Sequence, residues 1–243
     1  MKSKRSRLDR YLAKELVQPK KVIRQILLQG RVKLDGEVCK DMDKLIDEFS
    51  HIKFDEQVLQ SLQPVYIMLH KPVGVVSATK DLQHKTVLDL IDHPQKNELH
   101  IVGRLDLNTS GLLLLTNDSR WSNKLMQPEN KIPKRYRVQL ANPIHPDYIE
   151  SFAKGFYFEY EQITTLPAQL EIIAEREAIV SIQEGKYHQV KRMFGRFRNP
   201  VVALHRLSVG GLSLDNSLEA GESRMLMPNE VFMALEEPKW SED

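Results

Sequence analysis

Three short segments of this 243-residue chain hold residues that could do chemistry. In the first, Gly103-Arg104-Leu105-Asp106-Leu107-Asn108-Thr109-Ser110-Gly111, an arginine and an aspartate stand two apart, just ahead of the apolar run Leu112 to Leu115. A loop leading into a buried strand is a rigid mount for a reactive carboxylate. The plainer reading of Asp106 is an Asx-turn, its side chain bonded to backbone towards Asn108 and Thr109. In the second, Lys134-Arg135-Tyr136-Arg137, a phenol sits among cations at the start of a strand. Its ring can stack on a nucleobase and its hydroxyl can move a proton. The plainer reading is a strand tyrosine with solvated flanks. The third, Glu184-Gly185-Lys186-Tyr187-His188-Gln189-Val190-Lys191-Arg192-Met193-Phe194, reads as a turn and then a helix. Val190, Met193, Phe194 and Phe197 share one face, and Arg192 and Arg196 align at i, i+4 on another, a pattern that an ordinary amphipathic helix also shows.

Other chemistries find no support in the residue spacing. The eight histidines show no HxxxH or HxH pattern and Cys39 stands alone, so no metal site is expected. Neither GxGxxG nor GxxxxGK[ST] occurs, so no nucleotide cofactor is indicated, and no GxSxG supports a hydrolase.

The elements that must position these groups follow from pattern. Apolar residues are 41% and charged residues 28% of the chain, as in ordinary globular domains. No apolar run approaches the roughly 20 residues of a membrane helix, and MKSKRSRLDR does not read as a secretory signal. A single cysteine fits a reduced, cytoplasmic protein. Residues 8–17 and 20–29 predict two helices, the second stopped by Gly30, with Lys20, Lys21 and Arg24 on its outer face. Asp35-Gly36 between alternating runs predicts a hairpin, and residues 52–54 a further strand. The polar stretch 57–64 is the expected domain boundary. Beyond it, strands are expected at 65–69, 73–78, 111–116, 136–140, 170–173, 178–182 and 201–209, and helices at 119–126, 147–154 and 188–198. The tail from Pro238 is expected to fray. This is an α+β pattern with a largely antiparallel sheet.

Charge is uneven along the chain. Residues 1–33 hold eleven Lys/Arg, Lys2 and Lys4 among them, against Asp9 and Glu15, whereas the remainder is net acidic. Residues 130–146 and 185–206 repeat the signal, with cations and no acids. Several separated basic patches suit a long polyanion better than a small one.

Together these segments resemble the RsuA-type family of ribosomal RNA pseudouridine synthases. Residues 1–64 hold a unit similar to an S4 RNA-binding domain, through Arg7-Leu8-Asp9, the basic helix with Lys21 and Arg24, and Gly30-Arg31-Val32 to Asp35-Gly36. Residues 65–243 resemble the catalytic domain, through Lys71-Pro72-Val73-Gly74 and the three segments above. His70 stands where the family commonly has Asn, and Lys191 where most relatives outside one branch have Arg. Lysine keeps the charge without the bidentate fork. Tyr187-His188-Gln189 resembles the branch acting on small-subunit (16S) RNA.

The resemblance implies isomerisation of uridine to pseudouridine without metal or cofactor, at the family's uridine-516 site. It implies Asp106, Tyr136 and Lys191 as catalytic residues. Lys71, Arg104, Lys134, Arg192, Arg7, Lys21, Arg24 and Arg31 are the expected RNA contacts. Asp106 could attack C1′, add to the base, or abstract a proton towards a glycal. The expected partner is 16S RNA in a small-subunit assembly intermediate, met by a monomer. Competing readings are the same reaction on large-subunit RNA, a non-catalytic ribosome-associated S4 protein, and a glycosidase pairing Asp106 with Asp118.

Overall fold

The computed structural model describes residues 5–237. Lys2, Lys4 and the tail from Pro238 lie outside them. The chain divides into two compact units, Met1–Pro64 and Val65–Asp243.

In the first unit, helices Leu8–Glu15 and Lys20–Leu28 pack on a four-stranded sheet. Leu8, Leu12, Ile23 and Leu27 fall at helical spacing and are fully buried with Val32 and Ile52. The helices stop where the chain turns left-handed, at Val17 (φ 50°) and Gly30 (φ 71°). Asp35 and Gly36 both take positive φ, the geometry a two-residue hairpin between Val32–Leu34 and Glu37–Val38 demands. The polar stretch after Asp55 is not all linker. Gln57–Gln60 forms a strand against Ile52–Phe54.

The second unit is built on a nine-stranded sheet. Its neighbours run Gln169–Ala174, Glu177–Ile182, Lys134–Leu140, Val201–Val209, Ser110–Thr116, Tyr66–Lys71 and Ser223–Met225. His100–Val102 and Leu212–Ser213 pair alongside. Every pairing is antiparallel except Val201–Val209 with Ser110–Thr116, so the sheet is mixed and largely antiparallel, as the α+β pattern requires. Its two faces alternate along the Ser110–Thr116 strand. Leu113 and Leu115 enter the larger core, beneath helices Asp147–Lys154 and Gln189–Gly195, and Leu112 and Leu114 enter the other, beneath Trp121 and Leu125.

Two expectations are corrected. Residues 73–78 form no strand. Gly74 (φ 85°) turns the chain, and a single bridge, Val76 to Thr86, is all the pairing they make. The helix expected over 188–198 spans only Gln189–Gly195, because Arg198 turns left-handed (φ 52°).

Candidate active site

Residues 103–109 connect His100–Val102 to Ser110–Thr116, and their backbone is held from several sides. The Lys71 side chain is completely buried, and its ammonium donates to the carbonyls of Pro72 (2.9 Å), Asp106 (3.1 Å) and Thr109 (2.8 Å). The Gly74 N–H donates to Leu107 O (2.9 Å). Ser77 Oγ donates to Leu105 O (2.7 Å) and accepts from Leu105 N (3.1 Å). The segment misread as a strand is therefore spent on bracing this loop. The turn itself closes through backbone, Thr109 N–H to Asp106 O (3.0 Å), so no Asx-turn is needed to shape it.

The Asp106 carboxylate faces the start of helix Gln189–Gly195. Lys191 Nζ lies 3.1 Å from its Oδ2, and His188 Nε2 lies 3.5 Å from its Oδ1. About a third of the Asp106 side chain remains exposed. The turn before the helix is braced by buried Glu184 and Gln189. Gln189 Nε2 donates to Glu184 Oε1 (2.9 Å), which also accepts from Leu166 N (2.8 Å), and Lys186 N donates to Gln189 Oε1 (2.9 Å). His188 was not among the expected site residues. Its left-handed backbone (φ 49°) places it against Asp106, and no spacing rule flags that.

The sheet supplies the floor. Lys71, Gly111, Arg206, Tyr136 and Val180 are register partners in one row across five strands. At Gly111 an added Cβ would lie 2.3 Å from Arg206 O and 2.5 Å from Arg206 N, so only glycine permits this approach. Tyr136 is buried in the core with Leu105 and Val190, the residues that precede Asp106 and Lys191. Arg206, also missed, is buried, donates from Nε to Leu112 O (2.7 Å), and keeps Nη2 without a partner among the described residues. Its alternation with buried Leu204 and Ser208 was the available signal. Burial lowers the Lys71 ammonium to about 8, and lowers Lys134 to about 8 with Arg206 nearby adding to the effect.

Several expected RNA contacts have other work. Lys71 is buried and bonded to carbonyls, which corrects its reading as an RNA contact. Arg192 grips Glu161 through both Nη atoms (2.6 and 2.7 Å) and stacks 3.6 Å over the Phe158 ring, so its guanidinium is engaged within the protein while part of its side chain stays exposed. Arg196 pairs with Glu159 (3.5 Å), so this helix face is not an open basic patch. Arg7 is bidentate to Asp9 (3.0 and 2.8 Å) and pairs with Asp43, and Arg31 is bidentate to Asp55. Arg104, Lys21 and Arg24 are exposed, and Lys134 is half-buried. Asp118 caps helix Ser119–Met126, accepting from Arg120 N (2.9 Å) and Trp121 N (3.3 Å), and receives the Tyr66 hydroxyl (2.8 Å). That use leaves no second carboxylate for a glycosidase at this position.

A small unit of two helices on a four-stranded sheet is thus followed by a mixed-sheet unit that carries the Asp106 loop, and comparison with known proteins assigns both to families. The family model described as RNA pseudouridylate synthase matches residues 65–195, and the S4 domain model matches residues 6–49. The chain belongs to the RNA pseudouridylate synthase family and is an RNA pseudouridine synthase with an S4 domain. Relatives named ribosomal small subunit pseudouridine synthase A include those of Pseudomonas aeruginosa, 46% identical over 93% of this chain and 98% of the relative, and Vibrio cholerae, 44% identical over 93% and 97%. The Escherichia coli protein of that name is 40% identical over 93% and 98%. A crystal structure of a pseudouridylate synthase is 37% identical and superposes with a TM-score of 0.69, covering 94% of this chain and 99% of that one.

Proposed function

We propose that this protein converts one uridine of small-subunit ribosomal RNA, the family's uridine-516 site, to pseudouridine in the cytoplasm. Asp106 is the catalytic carboxylate. The observation that carries the reading is the Asp106–Lys191 pair (3.1 Å) on a loop held by the Lys71 ammonium. The name of the P. aeruginosa relative supports the small-subunit assignment.

The reaction breaks N1–C1′, turns the uracil, joins C5 to C1′, and moves the C5 proton off the base while N1 gains one. A stacked uridine must first be everted, at a cost of a few kcal/mol. Asp106, paired with Lys191, engages the everted nucleoside. Tyr136 stacks on the uracil and serves C5 deprotonation. Arg104 holds the opened backbone and Lys134 the adjacent phosphates. In the S4 unit, exposed Lys21 and Arg24 add sequence-tolerant affinity. Asp106, Lys191 and Tyr136 all come from one chain, so a monomer suffices, and a small-subunit assembly intermediate is the proposed substrate because its uridine is still free to evert.

Tritium release from [5-³H]uridine RNA tests this. Release from small-subunit assembly intermediates and not from large-subunit particles is expected. Release from large-subunit RNA alone would overturn the substrate assignment, and none from either would overturn the activity on ribosomal RNA.

A further inference from the structure

Tyr187 is the exposed aromatic nearest in sequence to the Asp106 partners, with 74% of its surface open. Its ring is nonetheless held. It stacks on the His188 imidazole with centroids 3.9 Å apart and planes 18° from parallel. The same imidazole reaches Asp106 with Nε2 at 3.5 Å. The Tyr187 carbonyl accepts from Arg192 Nη1 (3.2 Å), and Arg192 is fixed by Glu161 and by the ring of fully buried Phe158. One face of the phenol ring is thus covered by imidazole. So large an exposure leaves the opposite face to solvent.

A flat ring, ordered in advance and open on one side, is what a nucleobase stacks on, and such stacking tolerates any base. Cations are its neighbours along the chain and on the Asp106 loop. Lys186 precedes it, Lys191 follows one helical turn later, and Arg104 is exposed on the Asp106 loop. When a uridine everts to reach Asp106, the neighbouring base loses a stacking partner. The open phenol face lies one imidazole away from that carboxylate.

We propose that Tyr187, backed by His188, is a substrate-positioning residue whose open face stacks the nucleobase adjacent to the everted uridine. The inference rests on the reading that Asp106 receives that uridine. Arg192, held by Glu161 and Phe158, frames this platform.

The test compares Tyr187→Ala, Tyr187→Leu and Tyr187→Phe in tritium release from [5-³H]uridine small-subunit RNA. The Ala and Leu variants should raise KM by about tenfold, and Phe should stay within about twofold of wild type. All three should keep the wild-type Tm, since the ring is exposed. Ala within twofold of wild type, or Phe as impaired as Ala, would overturn the platform. A second readout is direct. In Tyr187→Trp carrying Asp106→Asn, the added indole emission should be quenched as that RNA is titrated in. RNA retained on a filter without quenching would overturn the proposal. If the wild type releases no tritium from small-subunit RNA, the substrate assignment fails, and quenching by whichever ribosomal RNA the protein retains still decides the platform.

Discussion

The cations of the two units are placed in opposite ways. In the first unit Lys20, Lys21 and Arg24 stand exposed on the outer face of helix Lys20–Leu28, while Ile23, Ile26 and Leu27 fill the core behind them. In the second, Lys71 and Arg206 are buried beneath the Asp106 loop and Lys134 is half-buried beside them. Exposed cations attract phosphates by counterion release and fix little geometry. Buried ones cost desolvation, visible in the lowered Lys71 and Lys134 values of about 8, and in return define positions. The same residue type thus stays on the surface in one unit and defines shape in the other.

Four substitutions or conditions sharpen that contrast. Lys191→Met removes the cation from Asp106 and should lower kcat by about 10²–10³-fold in single-turnover tritium release, with RNA affinity little changed. Gly111→Ala pushes the Arg206 backbone away from the row under the loop and should destabilise the second unit by about 3 kcal/mol in urea unfolding. Lys21→Ala with Arg24→Ala should leave kcat alone and reduce the salt dependence of RNA binding by about one log–log slope unit for each cation. A kcat loss there would erase the distinction between the units. The smallest effect is in pH. Lys71 and Lys134 bind fewer protons folded than unfolded between pH about 8 and 10.5, so stability should rise with pH across that window. Below pH 8 both states hold the proton and the slope vanishes. Lys134→Met should show a shallower rise.

Legibility followed the same divide. The helix faces of the first unit, the Asp35-Gly36 hairpin and helices Ser119–Met126 and Asp147–Lys154 were readable because local pattern determines them. The Asp106 loop stood out by its residue types, but how it is held did not. Lys71 reads as surface charge because nothing local tells it from a solvated cation, and Arg206 is marked only by its alternation with Leu204 and Ser208. Residues 73–78 alternate like a strand, yet Gly74 and Ser77 donate to the loop instead. Arg192 and Arg196 look unopposed in sequence because their acids, Glu161 and Glu159, lie 31 and 37 residues earlier in the chain. His188 depended on a left-handed backbone that histidine seldom takes.

The most direct test is Asp106→Asn, a change of one oxygen for one NH₂ that preserves volume. Measured side by side, tritium release from [5-³H]uridine small-subunit RNA should fall below detection while RNA affinity and urea stability match the wild type. Turnover within tenfold of wild type would remove Asp106 from the centre of the chemistry.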